Sequence, residues 1–174
     1  MGNRSRVYAA ALSVSIAGFA TWMSSEHFRS APYVPTKGDE VTIGYGSTHY
    51  ENGQKVKLTD KPITEVRAQQ LARNLMSKDE IQFRKSIPNV KLYQEEYDVY
   101  LDFVGQYGIG NWRMSGMRRN LLEGRYVRAC DSLLKWKMQA GRDCSVSSNW
   151  GSHGCKGVWT RQLERHKKCM SVQG

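Results

Sequence analysis

At 174 residues the chain is long enough for one domain with a real core and too short for two full ones. Its formal net charge of +10 is lopsided: from Trp112 to the end 13 Lys and Arg face 4 Asp and Glu, so this stretch alone carries +9 and calls for an anionic partner. Nucleic acid is the poorest candidate, because Arg118-Arg119 and Lys167-Lys168 are separated pairs and no RRM-type, zinc-finger or helix-turn-helix pattern accompanies them.

Arg4 and Arg6 precede a run of 17 uncharged residues, Val7 to Met23. The run is at the short end for a bilayer span and is diluted by Ala9, Ala10, Ala11, Ser13, Ser15, Ala17, Gly18, Ala20 and Thr21. It predicts a weakly hydrophobic N-terminal helix, a signal-anchor over residues 1–25, that holds the inner membrane weakly through residues 7–23. With the arginines ahead of the run, the N-terminus stays cytoplasmic and everything after Met23 is delivered to the far side, the oxidising periplasm of a Gram-negative host. "AGFATWMSSE" offers no convincing A-x-A-like cleavage site followed by a spacer.

Residues 26–174 then form the expected domain. From Val41 to Leu58, Val41, Ile43 and Tyr45 alternate with Thr and Gly, the chain turns at Glu51-Asn52-Gly53, and Val56 and Leu58 resume, which predicts a β-hairpin or small sheet. Thr64 can cap a helix to about Ser86, carried by Val66, Leu71, Leu75 and Ile81 and broken by Pro88-Asn89. A second helix follows from the stripe Tyr93, Tyr97, Tyr100, Leu101 and Val104, ending near Gly105 and Gly108, with core packing the best use of most of these tyrosines. Short helices around 117–122 and 127–138, a loop "AGRDCSVSSNWGSHGC" and a helix over about 160–168 complete a mostly helical α+β fold.

Cys130, Cys144, Cys155 and Cys169 all lie in the last third, and three pairings are open to them. Disulfides are preferred to zinc, because no spacing is C-x-x-C and His153 and His166 lack a compact ligand grouping. One pairing joins Cys144 to Cys155 around Asn149 and Cys130 to Cys169 across two helices. No metal and no cofactor is expected.

Glycosidic cleavage needs an acid that protonates the leaving oxygen and, in the inverting route, a base that activates water. Glu26, among Trp22, Phe28 and Tyr33, suits the acid, since apolar surroundings favour the protonated carboxyl. Asp39, in a turn beside Gly38, suits a wetter, ionised base, and Thr42 can hold the attacking water by its hydroxyl. By spacing alone the same residues read equally as a helix-terminal acid and a turn former.

Glu26 followed by "PYVPTKGDEVTIGYGST", with Thr42 opening T-I-G-Y-G, resembles the active-site segment of phage lysozymes, muramidase endolysins of the glycoside hydrolase family 24 type. The resemblance extends through "LYQEEYDVYLDFVGQYGIGNW", "SGMRRNLLEGRYVRACDSLLKW" and "CKGVWTRQLERHKKC", nearly the whole chain. It implies a lysozyme-like domain cleaving between N-acetylmuramic acid and N-acetylglucosamine in host peptidoglycan, with Glu26 as acid and Thr42 as the family's threonine. It also implies a signal-arrest-release segment: export in a tethered, inactive form, then escape into the periplasm. One departure stands out, because Tyr33-Val34-Pro35 puts a proline where many relatives have the aspartate of Y-x-D. Asp39 is the nearest substitute, three residues before Thr42 rather than six.

Gln106 and Tyr107 are candidate sugar contacts, and Arg118, Arg119 and Arg125 suit steering toward the carboxylates of wall stem peptides or acidic lipids. Peptidoglycan is the expected partner of a monomer. Two other readings compete: a lytic transglycosylase using Glu26 alone, and a membrane-anchored wall-binding protein without catalysis.

Overall fold

The computed structural model describes residues 4–174. Along the chain lie β1 (Val7–Tyr8), α1 (Ile16–Ser24), β2 (Arg29–Tyr33), β3 (Thr42–Gly44), α2 (Glu65–Ser86), β4 (Lys91–Leu92), α3 (Gln94–Met114), α4 (Gly116–Leu122), α5 (Tyr126–Ser132), β5 (Met138–Gln139), β6 (Arg142–Asp143) and α6 (Lys156–Met170). The chain divides into two units, Ser15–Gln82 and residues 4–14 with Phe83–Gly174. The architecture is α+β and mostly helical, as the sequence predicts.

In the unit Ser15–Gln82, α1 starts where Ser15 Oγ accepts from the Gly18 N–H, satisfying one of the free donors of the first turn. The helix buries Gly18, Phe19 and Trp22. The Phe19 and Trp22 rings lie 6.2 Å apart, and the Arg73 guanidinium sits 4.3 Å over Phe19. β2 and β3 are antiparallel, Arg29 opposite Gly44 and Tyr33 opposite Thr42, so four steps on β2 match two on β3. The slack falls around Pro32, which has no N–H to give a ladder.

This pairing differs from the expected hairpin over 41–58, because β3 takes its partner from upstream. Gly44 and Gly46, at φ +68° and +89°, reverse the chain at once. Ile43 and Ser47 exchange backbone bonds of 2.9 and 3.0 Å across that reversal. The Glu51-Asn52-Gly53 turn does form, with Gly53 N–H donating to Tyr50 O and a bridge between His49 and Lys55. Gly44 cannot carry a side chain, since a Cβ there would meet the Ala68 Cβ at 2.9 Å. Ile43, Val56 and Leu71 form the core, flanked by Val41, Tyr50 and Ile63. Thr64 Oγ1 accepts from the Arg67 N–H at the start of α2, the predicted cap.

In the other unit the N-terminal residues are an integral part. β1 pairs antiparallel with β4, Val7 opposite Leu92 and Tyr8 opposite Lys91. Residues 7–23 are therefore not one helix: a strand and a short 3-10 turn over Ala9–Ala11 precede α1. The strand forms because the break at Pro88-Asn89 leaves an extended edge, and Ala9 N–H completes the pairing with a bond to Val90 O (2.9 Å). Among the described residues no helix is long and apolar enough to cross a membrane. Arg4 makes a bidentate pair with Glu95 at 2.9 and 3.0 Å. Arg6 does the same to the fully buried Glu96, at 2.9 and 3.0 Å, and its guanidinium lies 3.6 Å over Tyr126. Glu96 also accepts from Gln173 Nε2 (2.7 Å) and from the Tyr93 N–H (2.8 Å), so every oxygen of this buried carboxylate is met.

The tyrosine stripe is core, as expected: Tyr97, Tyr100, Leu101 and Val104 are buried around Trp112. Trp112 meets the rings of Phe83 at 5.1 Å and Tyr100 at 5.4 Å and donates its indole N–H to Ser86 Oγ at 2.7 Å. α3 is interrupted where the sequence ends the helix: Gly108, at φ +82° and ψ 159°, is not helical, and a second helical stretch runs on to Met114. Asp102 clasps Arg161 and Arg165 of α6. The cysteines pair Cys130–Cys169 and Cys144–Cys155.

Candidate active site

Glu26 sits just past the C-terminus of α1, its N–H donating to Met23 O at 3.1 Å. A carboxylate is favoured at a helix N-terminus rather than at this end, so the helix dipole does not account for its placement. Its side chain is half-buried and directed at the turn that follows β3: Oε2 lies 3.9 Å from where a Cβ on Gly46 would stand. The two glycines of G-Y-G have separate uses: Gly44 admits α2, where a Cβ would meet Ala68, and Gly46 supplies the positive φ of +89° that turns the chain beside Glu26.

Thr42, at the start of β3, is buried, and its hydroxyl donates to Glu40 O at 3.0 Å, which leaves the oxygen's lone pairs to accept. Glu40 itself is held by Lys55 at 2.6 Å, and that bond keeps its carboxyl below the usual range. Asp39 follows Gly38 (φ +98°) in an exposed turn, its backbone N–H donating to Thr36 O. Its carboxylate makes no hydrogen bond or ion pair among the described residues.

The aromatic residues expected around Glu26 have ring contacts of their own. Trp22 is buried beside Phe19, Phe28 is partly exposed with its ring 5.6 Å from Tyr45, and Tyr33 carries the Arg29 guanidinium at 4.5 Å. Tyr45 donates its hydroxyl to Glu65 Oε1 at 2.7 Å, which pushes its pKa above the phenol range. Two buried polar atoms in this unit, Trp22 Nε1 and Ser47 Oγ, have no partner among the described residues. One lies on α1 four residues before the acid and the other beside Gly46. The indole N–H had no sequence signal, because only the fold buries it.

Gln106 and Tyr107 belong to the other unit. Tyr107 is locked as a structural ring: it stacks on Phe103 at 4.6 Å, lies 5.1 Å from Trp136, and its hydroxyl accepts from Gln162 Nε2 at 3.2 Å. Gln106 Oε1 is a buried acceptor with no donor among the described residues.

The family model described as phage lysozyme matches residues 23–148, which takes in Glu26, the β2–β3 segment, α2, α3 and the short helices after them. The chain belongs to the phage lysozyme family. Solved structures share its fold: an endolysin from Escherichia coli O157:H7 phage FAHEc1 (TM-score 0.74, 21% identity, 94% of this chain and 98% of that one) and a P22 lysozyme variant (0.73, 22%, 91% and 99%). The muramidase domain of SpmX from Asticaccaulis excentricus also superimposes (0.71, 19%, 91% and 97%). A search of the curated proteins found no match. As a phage lysozyme the chain is a peptidoglycan-cleaving enzyme, and the absence of the Y-x-D aspartate at Pro35 is its own departure.

Proposed function

We propose that this phage lysozyme hydrolyses the bond between N-acetylmuramic acid and N-acetylglucosamine, with Glu26 protonating the leaving oxygen. The observation that supports this reading is the acid's position: a half-buried carboxyl just past the end of α1, facing the glycine turn that follows β3, inside the segment that the family model matches. Thr42 holds the attacking water through its free lone pairs, and Asp39, exposed in its turn, assists as base. The carboxylate of Asp39 has no bond to Thr42, which favours keeping one second reading, a lytic transglycosylase in which Glu26 acts alone. Mass analysis of digested walls separates them: hydrolysis leaves reducing ends and transglycosylation leaves anhydro-sugars. Glu26→Gln is expected to lower turnover by about 10²–10⁴-fold, the usual contribution of a positioned general acid. Turnover equal to the parent's would end the proposal.

The same reading includes export in a membrane-tethered, inactive form. Support comes from the exposure of the N-terminal segment: Ala10, Ala11, Ser13, Ala17, Ala20 and Thr21 are all wetted in the folded chain, so a segment apolar enough to enter a bilayer remains tolerable in water. Arg4 and Arg6 are paired with Glu95 and Glu96, an arrangement that this reading assigns to the released form. Leucine at the exposed positions Ala17 and Ala20 should strengthen the membrane hold without invading the fold. The variant is expected in the membrane fraction with lysis blocked, and lysis on the parent's schedule would refute tethering.

A further inference from the structure

A second site lies outside the residues discussed so far, on the loop between β6 and α6. The hairpin β5–β6 turns through Ala140 and Gly141, both at positive φ (48° and 76°), and delivers the chain to Cys144, which the disulfide ties to Cys155 at the start of α6. Inside this clamp the chain folds tightly on itself. Cys155 N–H donates to Asn149 O, Asn149 Nδ2 donates to Asp143 O, and a Cβ on Gly154 would stand 2.5 Å from Asn149 O. The loop is therefore built rather than slack.

Its surface is a concavity of about 330 Å³ lined by Arg142, Ser148, Asn149, Trp150, Ser152 and His153. The Trp150 indole is pinned by its edge, Nε1 donating to Cys144 O at 2.8 Å, and the Lys156 ammonium stands 5.1 Å over the ring. Arg142 donates to His153 O at 3.1 Å, which fixes the guanidinium across the hollow. Asp143 is the loop's one acid, and Lys137 (2.8 Å) and Ser145 (2.6 Å) already take its carboxylate. Among the described residues Arg142 and Lys156 have no acidic partner. A fixed aromatic plate, two uncompensated cations, two hydroxyls and an amide are the groups that hold an acidic sugar: the ring face takes the apolar side of a pyranose and the cations take a carboxylate.

We infer that this disulfide-clamped loop is an auxiliary wall-binding site that holds one N-acetylmuramyl residue with the carboxylates of its stem peptide. The assignment rests on peptidoglycan being the substrate. The volume is at the low end of ligand pockets, about 300–1,000 Å³, so the site holds one sugar-peptide residue rather than a strand. Weak affinity is enough, because on a polymer already engaged elsewhere the second contact is intramolecular and its effective concentration is roughly millimolar or higher.

The test uses the full-length oxidised chain carrying Glu26→Gln, co-sedimented with purified insoluble peptidoglycan, and N-acetylmuramyl-alanyl-isoglutamine as soluble probe. The probe is expected to change tryptophan fluorescence and to displace the protein from walls, while neutral diacetylchitobiose does so at least fivefold less well. Arg142→Gln and Trp150→Ala are each expected to weaken wall capture at least fivefold. Lys156→Glu, at an exposed position on α6, is expected to do the same and keeps the test open if Trp150→Ala fails to fold. Capture by Arg142→Gln and Lys156→Glu equal to the parent's, or equal competition by the neutral disaccharide, overturns the inference. Should the Glu26→Gln chain itself dissolve the walls, the catalytic proposal fails, and the probe titration still decides the loop.

Discussion

Glu26 and Asp79 show how differently two acids of one unit are used. Glu26 was legible because a family pattern surrounds it; from composition and spacing alone it was one acid among many, and only the fold reveals that it stands at the wrong end of a helix for stability. Gly46 was visible as a glycine but not as the residue whose positive φ turns the chain beside the acid. Asp79 had no sequence signal: it lies on α2, where burial pushes its carboxyl up to about 6 from the ordinary 3.8. The folded chain therefore holds a proton that the unfolded chain releases earlier. Asp79 favours folding most below the unfolded value, and this contribution is lost as pH rises through about 6. Asp79→Asn removes the penalty, so the variant is expected to be more stable than the parent at pH 7. Between pH 4 and 6 its urea midpoint is expected to fall less than the parent's. Parallel midpoint curves over that range would refute this account.

At the scale of elements, helices with strong periodicity were predicted close to their observed bounds, α2 almost to the residue, because local burial decides them. The elements that differ are those decided by distant partners. β3 pairs with an upstream strand containing a proline, and residues 7–23 divide because Val90–Leu92 offers an edge that no local pattern announces. The N-terminal arm carries the prediction at this scale. Breaking a buried ion pair by removing one partner costs about 3–5 kcal/mol, since the other charge is left in a dry site. Arg6→Gln strands Glu96 and is expected to destabilise the soluble protein by about 3 kcal/mol. Glu96→Gln should cost less, because Arg6 is partly exposed and regains water. The double variant should be no worse than Arg6→Gln, as it leaves no buried charge. Urea unfolding of the four proteins measures this, and a loss below about 0.5 kcal/mol for Arg6→Gln would show that the arm is not clasped in solution.

For the whole molecule, the unevenness seen in composition is also an unevenness in what holds the chain together. The chain from Trp112 onward carries most of the net positive charge and both disulfides, and its helices α4 and α5 are only 7 residues each, too short to stand without tertiary support. Cys130 and Cys169 are 39 residues apart and fully buried, Cys144 and Cys155 11 apart. By loop-closure entropy the first crosslink is worth about 4 kcal/mol and the second about 3. Together they rival the 5–15 kcal/mol that separates folded from unfolded for an ordinary domain. Reduction is therefore expected to take the chain most of the way to unfolding at 37 °C, with the larger loss following Cys130–Cys169. Urea midpoints measured with and without a phosphine reductant, on the parent and on Cys144→Ser/Cys155→Ser, check the order: the double variant should keep more than half of the oxidised chain's stability, and reducing it should remove most of the remainder. If reduction leaves the double variant's midpoint unchanged, short-range packing rather than the long crosslink holds this basic region, and folding would need no oxidising compartment.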